Sequence, residues 1–276
     1  MESIIYILIA TLFLTSYQGF KSPAFREKYI FDVDQILIDK EYYRVFTSAF
    51  LHSNWYHLIF NSLALSSFGV FVLVVYGIKD FTLIYMISLI GGGLLSLYLH
   101  RNHGDYRALG ASGAISGVVF STILLSPTSE ISLLFIPYGF PAWAFGIAFV
   151  AYTVWGIKKG SDNIGHEAHL GGAIFGMLTT IAIDPDLLST NYWIFVLLMA
   201  PCLIFLIFVY KNPEYLLVES VSLKSFINTR KKTYEPTKTP EEELNDLLDK
   251  ISSQGIGSLT AKEKKKLEEL SGKELK

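Results

Sequence analysis

Long runs of apolar residues, separated by short polar segments, fill the first 210 positions of the chain. Each run approaches the roughly 20 residues that a helix needs to cross the hydrocarbon core of a bilayer. Lipid offers the backbone no hydrogen-bonding partner, so such runs cross as helices. The pattern predicts an all-α, polytopic membrane helix bundle with spans at 4–20, 55–76, 81–99, 112–125, 141–157, 166–183 and 192–210.

The composition also indicates a membrane protein. Hydrophobic residues make up 51% of the chain and charged residues only 17%, an unusual balance for a soluble domain. The first run follows no basic segment and precedes no Ala-x-Ala-like cleavage site, so we expect a retained span rather than a secretory signal. We therefore expect an integral, multi-pass protein of the cell membrane, embedded in the lipid bilayer. No basic run with interleaved aromatic residues suggests a nucleic-acid partner.

Two segments lie outside the spans. Residues 21–54 form a long loop rich in aromatic residues, which we expect to be ordered at the membrane interface. From residue 211 the chain becomes charged and polar, which predicts a membrane domain over 1–210 and a soluble tail over 211–276. Within the tail, Thr260 and Glu263 have the spacing of a capping box that opens a last helix over 261–270. An earlier helix with one apolar face is predicted over 244–251. Two such short helices bury little apolar surface, so we expect the hairpin that they form to need a partner for stability.

The candidate chemistry begins at Ser112, which stands among small residues at the start of the fourth span. Polar residues precede it, so it is predicted to lie near a helix N-terminus, where free backbone N–H groups favour negative charge. The alternative is a packing role alone, because Gly113 and Gly117 have the spacing of a close-approach seam between membrane helices.

His169 lies one turn before a second seam of the same kind, formed by Gly172 and Gly176. Two helices packed through these seams would bring the side chains of Ser112 and His169 within hydrogen-bonding distance. A serine beside an imidazole is a nucleophile with its general base, the minimum apparatus for acyl transfer. The alternative is a buried histidine that donates to a carbonyl.

His57 and Asn61 are four residues apart and share one face of the second span. With the backbone N–H of Ser112, they could donate hydrogen bonds to the oxyanion of a tetrahedral intermediate. The alternative is a polar clamp between helices. We assign structural roles to His52, His100 and His103.

Metal chemistry fits the sequence poorly. A zinc protease helix carries His-Glu-x-x-His, whereas His166 and His169 are only three residues apart. We expect no metal and no cofactor. Cys202, the single cysteine, lies in an apolar run, where we expect it to face lipid.

Together these features resemble the rhomboid family of intramembrane serine proteases. The resemblance rests on Gly110-Ala111-Ser112-Gly113, on His169 with its glycine seam, on His57-x-x-x-Asn61, and on the approach from Tyr43-Arg44 to His52. It implies a six-helix core plus one added C-terminal span, and cleavage of transmembrane protein substrates. It also implies a Ser112–His169 dyad and an oxyanion hole from His57, Asn61 and the Ser112 amide. The supporting glycines are Gly110, Gly113, Gly117, Gly172 and Gly176.

Three features depart from the usual family pattern. Tyr43 stands where the family usually has tryptophan, and Ser116 stands where some members place a tyrosine against the histidine. Some other residue is then needed to pack on the ring of His169. Lysine and arginine also concentrate on the side of Ser112, which the positive-inside rule assigns to the cytoplasm, whereas in most bacterial members the site opens outward.

Two other functions remain open on the sequence. One is a catalytically inactive rhomboid-like protein that binds transmembrane helices. The other is a transporter, although the chain shows no matching pair of broken helices from an inverted repeat.

Overall fold

The computed structural model of the chain describes residues 2–132, 138–159, 164–212 and 240–260, together with 263, 264, 266, 267 and 270. The chain forms two compact units, Met1–Ser220 and Val221–Lys276. The first unit contains all the predicted spans, and the second contains the helical part of the tail.

The first unit is a helical bundle with very little sheet. Its long helices are α1 (Ser3–Lys21), α5 (Trp55–Ala64), α6 (Val70–Leu99), α7 (Ser112–Leu125), α8 (Ala142–Lys159), α9 (His166–Ile183) and α11 (Tyr192–Lys211). The short helices are α2 (Pro23–Tyr29), α3 (Val33–Leu37), α4 (Arg44–Thr47) and α10 (Leu187–Thr190). Two short antiparallel strand pairs complete it, β1 (Phe31–Asp32) with β2 (Arg107–Ala108) and β3 (Glu130–Ser132) with β4 (Gly139–Pro141).

Among the described residues, three helical stretches are long and apolar enough to cross a membrane: Ser3–Lys21, Trp55–Leu99 and Tyr192–Lys211. The middle one joins α5 to α6 through a wider π-helical turn, Leu65–Gly69. The helix is broken at Gly77, which has a φ of 77°. Such a φ costs glycine no steric penalty, so this residue marks the turn between the second and third predicted spans.

Helix α7 is the short helix at the centre of the bundle. Almost every residue after Ser112 in it is buried, including Phe120 and Ile123. Its 14 residues extend over about 21 Å at 1.5 Å per residue, less than the hydrocarbon core of about 30 Å. Polar residues follow Leu125 directly, so we expect that end of α7 at the membrane surface and the Ser112 end within the hydrocarbon core.

The loop before α5 is ordered, as its aromatic content suggests, and it is tied to the loop before α7. Strand β1 pairs Phe31 with Ala108 and Asp32 with Arg107. Arg44 is 5% exposed and donates from Nη1 to the carbonyls of Glu27 and Ile30, at 2.7 and 3.0 Å. The guanidinium of Arg44 therefore joins separate parts of the first loop.

Helices α6, α7 and α9 meet through glycines, with backbone against backbone. A Cβ on Gly172 would collide with the carbonyl oxygen of Gly113, and one on Gly176 would collide with the backbone of Gly117. On the other side of α9, a Cβ on Gly171 would lie 2.9 Å from the carbonyl oxygen of Gly91. The two seams singled out in the sequence thus lie against each other.

The expectation that Cys202 faces lipid is wrong. Its side chain is fully buried, and Sγ lies 3.1 Å from the carbonyl oxygen of Leu198. Helix α11 is apolar on all sides, so its sequence has no polar face that would distinguish the packed side from the lipid side. Cys202 lies on the packed side with Leu198 and Phe205.

The second unit contains α12 (Pro240–Gln254) and a 3₁₀ turn, Ile256–Ser258. The predicted capping box follows this turn and is present in the structure. The Thr260 N–H donates to Glu263 Oε2 at 2.7 Å, and the Glu263 N–H donates to Thr260 Oγ1 at 3.3 Å. The helix predicted over 261–270 lies partly outside the described residues, and those described within it are helical.

Candidate active site

Ser112 is the first residue of α7, directly after a tight glycine turn. Gly110 has a φ of 130°, a conformation that strongly favours glycine. Its N–H donates to the carbonyl of Ser48 in the first loop at 3.0 Å. Because the Ile115 N–H bonds back to Ala111, the N–H groups of the first residues of α7 precede the helical ladder and point out of its end.

His169 lies in the first turns of α9, and the structure brings it to Ser112. The distance between His169 Nε2 and Ser112 Oγ is 2.7 Å, an ordinary length for a hydrogen bond. Both side chains are partly exposed. A neutral imidazole with an unprotonated Nε2 accepts the serine proton at this distance, which is the geometry of a nucleophile with its base.

The main chain next to His169 fixes this distance. The carbonyl oxygen of Ala168 is wedged between two glycines, so that a Cβ on Gly92 would lie 2.6 Å from it and one on Gly113 would lie 3.1 Å from it. Gly113 directly follows Ser112. The residues adjacent to the serine and to the histidine are therefore in backbone contact, and the separation of their side chains depends on that contact.

Two aromatic rings hold the imidazole of His169 in place. Phe149 of α8 lies with its ring centroid 5.9 Å away at an interplanar angle of 38°, and His166 lies 5.9 Å away at 73°. Phe149 is in turn held edge-on by Phe120 at 5.4 Å. Ser116 stands where some members of the family have a tyrosine against the histidine. Its hydroxyl donates to the carbonyl of Ser112 at 2.7 Å.

His57 borders the same glycine turn as Ser112. A Cβ on Gly110 would lie 2.8 Å from His57 Nε2 and 3.6 Å from Ser112 Oγ. His57 Nδ1 lies 3.2 Å from the hydroxyl of Ser53, which leaves Nε2 on the Gly110 side. Asn61 is buried one turn further on, and its Nδ2 donates to the carbonyl of His57 at 3.0 Å. One of the two Asn61 amide protons is thus engaged within its own helix.

His52 lies behind His57, with ring centroids 4.9 Å apart. Its Nδ1 is 2.9 Å from the hydroxyl of Ser16 on α1. Burial, with His57 adding to it, lowers the pKa of His52 to about 3. The ring is therefore uncharged at physiological pH and joins the first helix to the wall of the site.

A cluster that sequence reasoning missed lies on the other side of His169. The Glu167 carboxylate is buried; its Oε1 is 2.9 Å from His100 Nε2, and its Oε2 accepts from the Tyr106 hydroxyl at 3.0 Å. Burial and the nearby carboxylate raise the pKa of Tyr106 well above its ordinary value. His100 stacks on the Tyr106 ring at 3.6 Å, and its Nδ1 is 2.9 Å from His103 Nδ1. The cluster ties the start of α9 to the loop that leads to Ser112.

The described residues were also compared with the ligand groups that bind metals. Among the residues that the structure describes, no group of three or more His, Cys, Asp or Glu side chains could hold a metal ion.

Comparison with known proteins covers both units. Residues 39–185 match the Rhomboid domain, and residues 231–273 match a family of unknown function, DUF6576. The chain is 36% identical over 150 residues to Rhomboid protein 1, mitochondrial, of Saccharomyces cerevisiae, covering 52% of this chain and 43% of that protein. It is 31% identical over 175 residues to Rhomboid protease AarA of Providencia stuartii, covering 55% and 59%.

A third relative is Presenilin-associated rhomboid-like protein, mitochondrial, of Homo sapiens, 30% identical over 132 residues that cover 47% of this chain and 35% of that protein. The chain thus aligns with between about a third and three-fifths of the length of these relatives. The Rhomboid domain match contains Ser112, His169, His57 and Asn61, and it spans more than half of the chain. From this match and from the polytopic helical bundle, we conclude that the chain belongs to the rhomboid family.

Proposed function

We propose that the protein is an intramembrane serine endopeptidase that cleaves transmembrane protein substrates with a Ser112–His169 dyad. The observation that carries the proposal is the 2.7 Å distance between His169 Nε2 and Ser112 Oγ, at the first residue of α7. The name of one relative, Rhomboid protease AarA, supports the same activity.

The reaction follows from the geometry of the two side chains. Ser112 Oγ attacks the carbonyl carbon of the scissile peptide, and its proton passes to His169 Nε2. The imidazolium then gives that proton to the leaving amine, and an ester on Ser112 remains. Water, deprotonated by the same nitrogen, attacks the ester, and its collapse releases a carboxylic acid and restores the serine.

The negative oxygen of the two tetrahedral intermediates needs hydrogen-bond donors. The candidates are the N–H groups at the start of α7, the Nε2 of His57 and the second amide proton of Asn61. The positive end of the α7 dipole favours the same negative charge. In this proposal no acidic residue orients His169; the rings of Phe149 and His166 hold it instead.

The depth of Ser112 supports a substrate peptide bond inside or close to the bilayer. Because α7 is shorter than the hydrocarbon core, a helix that begins at one surface would place its serine end inside the core. Substrates that present an extended segment at this depth are membrane proteins. We further propose the cell membrane as the location.

The test is covalent labelling with a serine-reactive fluorophosphonate, together with cleavage of a test transmembrane substrate. We expect both for the natural protein and neither for Ser112→Ala, whereas Ser116→Ala, four residues along the same helix, should retain both. His169→Ala should abolish cleavage, and the double variant should be no worse than either single one, because the two groups act as a unit.

The alternative, an inactive rhomboid-like protein that binds transmembrane helices, makes a different prediction in the same experiment. It predicts no labelling and no cleavage by the natural protein, together with capture of transmembrane helices that is equal in the natural protein and in Ser112→Ala. Cleavage that persists in Ser112→Ala would contradict the serine mechanism itself.

A further inference from the structure

Helices α8 and α11 leave an apolar groove between them in the membrane-embedded part of the first unit. Its volume is about 580 Å³. One wall is formed by α8 between Ile147 and Val154, and the other by α11 between Leu197 and Phe208, with apolar side chains throughout. Several of these side chains are well exposed, Ile204 to 67%, so the groove is open to its surroundings.

Both walls of the groove continue into a lysine at the same end. On α8, Ala151, Val154 and Lys158 follow one another at spacings of three and four, so they share a helix face. On α11 the same holds for Ile204, Phe208 and Lys211. Only one crossing, α9, lies between α8 and α11, so the two helices run in the same direction. Their last turns, with Lys158 and Lys211, are therefore at the same side of the membrane.

We propose that this groove binds one anionic phospholipid, with an acyl chain against the apolar walls and the phosphate between Lys158 and Lys211. A hydrocarbon chain needs only apolar contact, which every lining residue offers. The lysines lie where α8 and α11 reach the headgroup region, and basic pockets between transmembrane helices suit anionic headgroups.

The charge at one end of the groove favours a lipid over a transmembrane helix. An apolar transmembrane helix would match the walls but offers no anionic group to Lys158 and Lys211. An anionic phospholipid matches both, with an acyl chain against the apolar residues and a phosphate beside the lysines.

The charge part of the proposal is tested by native mass spectrometry of the full chain, titrated in detergent with phosphatidylglycerol or with phosphatidylcholine of the same acyl chains. We expect tighter binding of phosphatidylglycerol. Lys158→Gln and Lys211→Gln should each weaken its binding about fivefold, since one lysine near a charged headgroup contributes about 1 kcal/mol, and should leave phosphatidylcholine unchanged. The matched control is Lys159→Gln, because Lys159 Nζ lies 4.7 Å from the centre of the Trp155 ring and off the groove face.

The groove itself is tested by filling it. Ala151→Leu places a larger side chain inside, whereas Ala148→Leu adds the same atoms at an exposed position of α8 that does not line the groove. We expect the first to remove binding of both lipids and the second to leave it intact. Ile204→Phe fills the groove from the opposite wall, should Ala151→Leu not fold.

Three results would overturn the proposal: equal affinity of the natural protein for the two lipids, an effect of Lys159→Gln as large as that of Lys158→Gln, or unchanged lipid binding with the groove filled. If filling the groove instead reduces capture of a synthetic transmembrane peptide and leaves lipid binding as it was, the occupant is a helix. None of these readouts depends on peptidase activity.

Discussion

The phenyl ring of Phe149 lies against the imidazole of His169, with the two centroids 5.9 Å apart and the planes at 38°. The two residues are on neighbouring helices, α8 and α9, and the phenylalanine is itself fixed by Phe120 of α7. Hydrophobic contact of this kind limits the rotamers of the histidine without adding charge. In the proposed dyad, we expect this contact to help position the base, a task that an acidic residue performs in soluble serine hydrolases.

The first prediction concerns this ring. Phe149→Leu should lower kcat on a transmembrane substrate by on the order of tenfold to a hundredfold, because displacement of a catalytic group by about 1 Å has effects of that size. Phe71→Leu, at a partly exposed position of α6, is the control and should leave kcat unchanged. Equal kcat values for the two variants would show that Phe149 does not position the base.

The second prediction concerns the oxyanion donors. Loss of one such donor reduces kcat by on the order of 10²–10³, so we expect losses of this size for His57→Ala and Asn61→Ala, with weakened labelling of Ser112. Ser62→Ala is the control on the same helix, since the Ser62 hydroxyl bonds only back to Leu58 in the described contacts. Full activity in both test variants would leave His57 and Asn61 as a clamp between helices.

The third prediction concerns the buried carboxylate of Glu167. Tyr106→Phe removes only the hydroxyl that donates to Glu167 Oε2 and leaves a buried acceptor short of a partner. We expect the free energy of unfolding to fall by about 1–3 kcal/mol, measured by thermal or denaturant unfolding in detergent. Tyr98→Phe, on an exposed tyrosine of α6, should have no effect, and an equal shift for both variants would contradict the prediction.

The fourth prediction concerns the tail. A chain that ends after Tyr210 should fold in detergent and cleave its substrate as the full chain does, because every proposed catalytic residue lies in the first unit. The tail would then serve a partner or regulation. A truncated protein that is folded, by its thermal transition, but inactive would show that the tail is needed for the site.

The fifth prediction concerns orientation. Lysines and arginines lie mainly on the Ser112 side, and the positive-inside rule places that side and the tail in the cytoplasm. A fluorescent reporter appended at Lys276 should therefore be active in the cytosol, and alkaline phosphatase at the same position should be inactive. Phosphatase activity would show that the rule fails here.

The positions of the helices could be predicted from the sequence because each helix that crosses a bilayer needs an apolar run of similar length. The break at Gly77 falls between the predicted second and third spans, and the ends of α7 and α9 coincide with the predicted ones. Ser112 and His169 were predictable as a pair because each stands beside a glycine seam, and two such seams favour one another. Their catalytic role remains a prediction.

Other contacts around the site could not be predicted, because no motif or spacing in the sequence marks the residues that form them. Glu167 meets Tyr106 across 61 positions of sequence, and neither residue lies in a motif. Phe149 is one of many aromatic residues, and nothing in its neighbourhood singles it out as the partner of His169. Cys202 was placed on the wrong side of α11 because a helix that is apolar all round gives no indication of which face is packed.

The glycine contacts between α6, α7 and α9 have a mechanical consequence. Where backbones touch, no layer of side chains remains whose rotamers can change, and a close-packed interior resists compression. We therefore expect the three helices to behave as one stiff block, in which bilayer tension or thickness leaves the spacing of Ser112 and His169 unchanged. Deformation falls on helices that pack through larger side chains, such as α8. For the proposed peptidase, we therefore expect a thinner or thicker membrane to change how fast a substrate arrives at Ser112, and not how fast the bound peptide is cut.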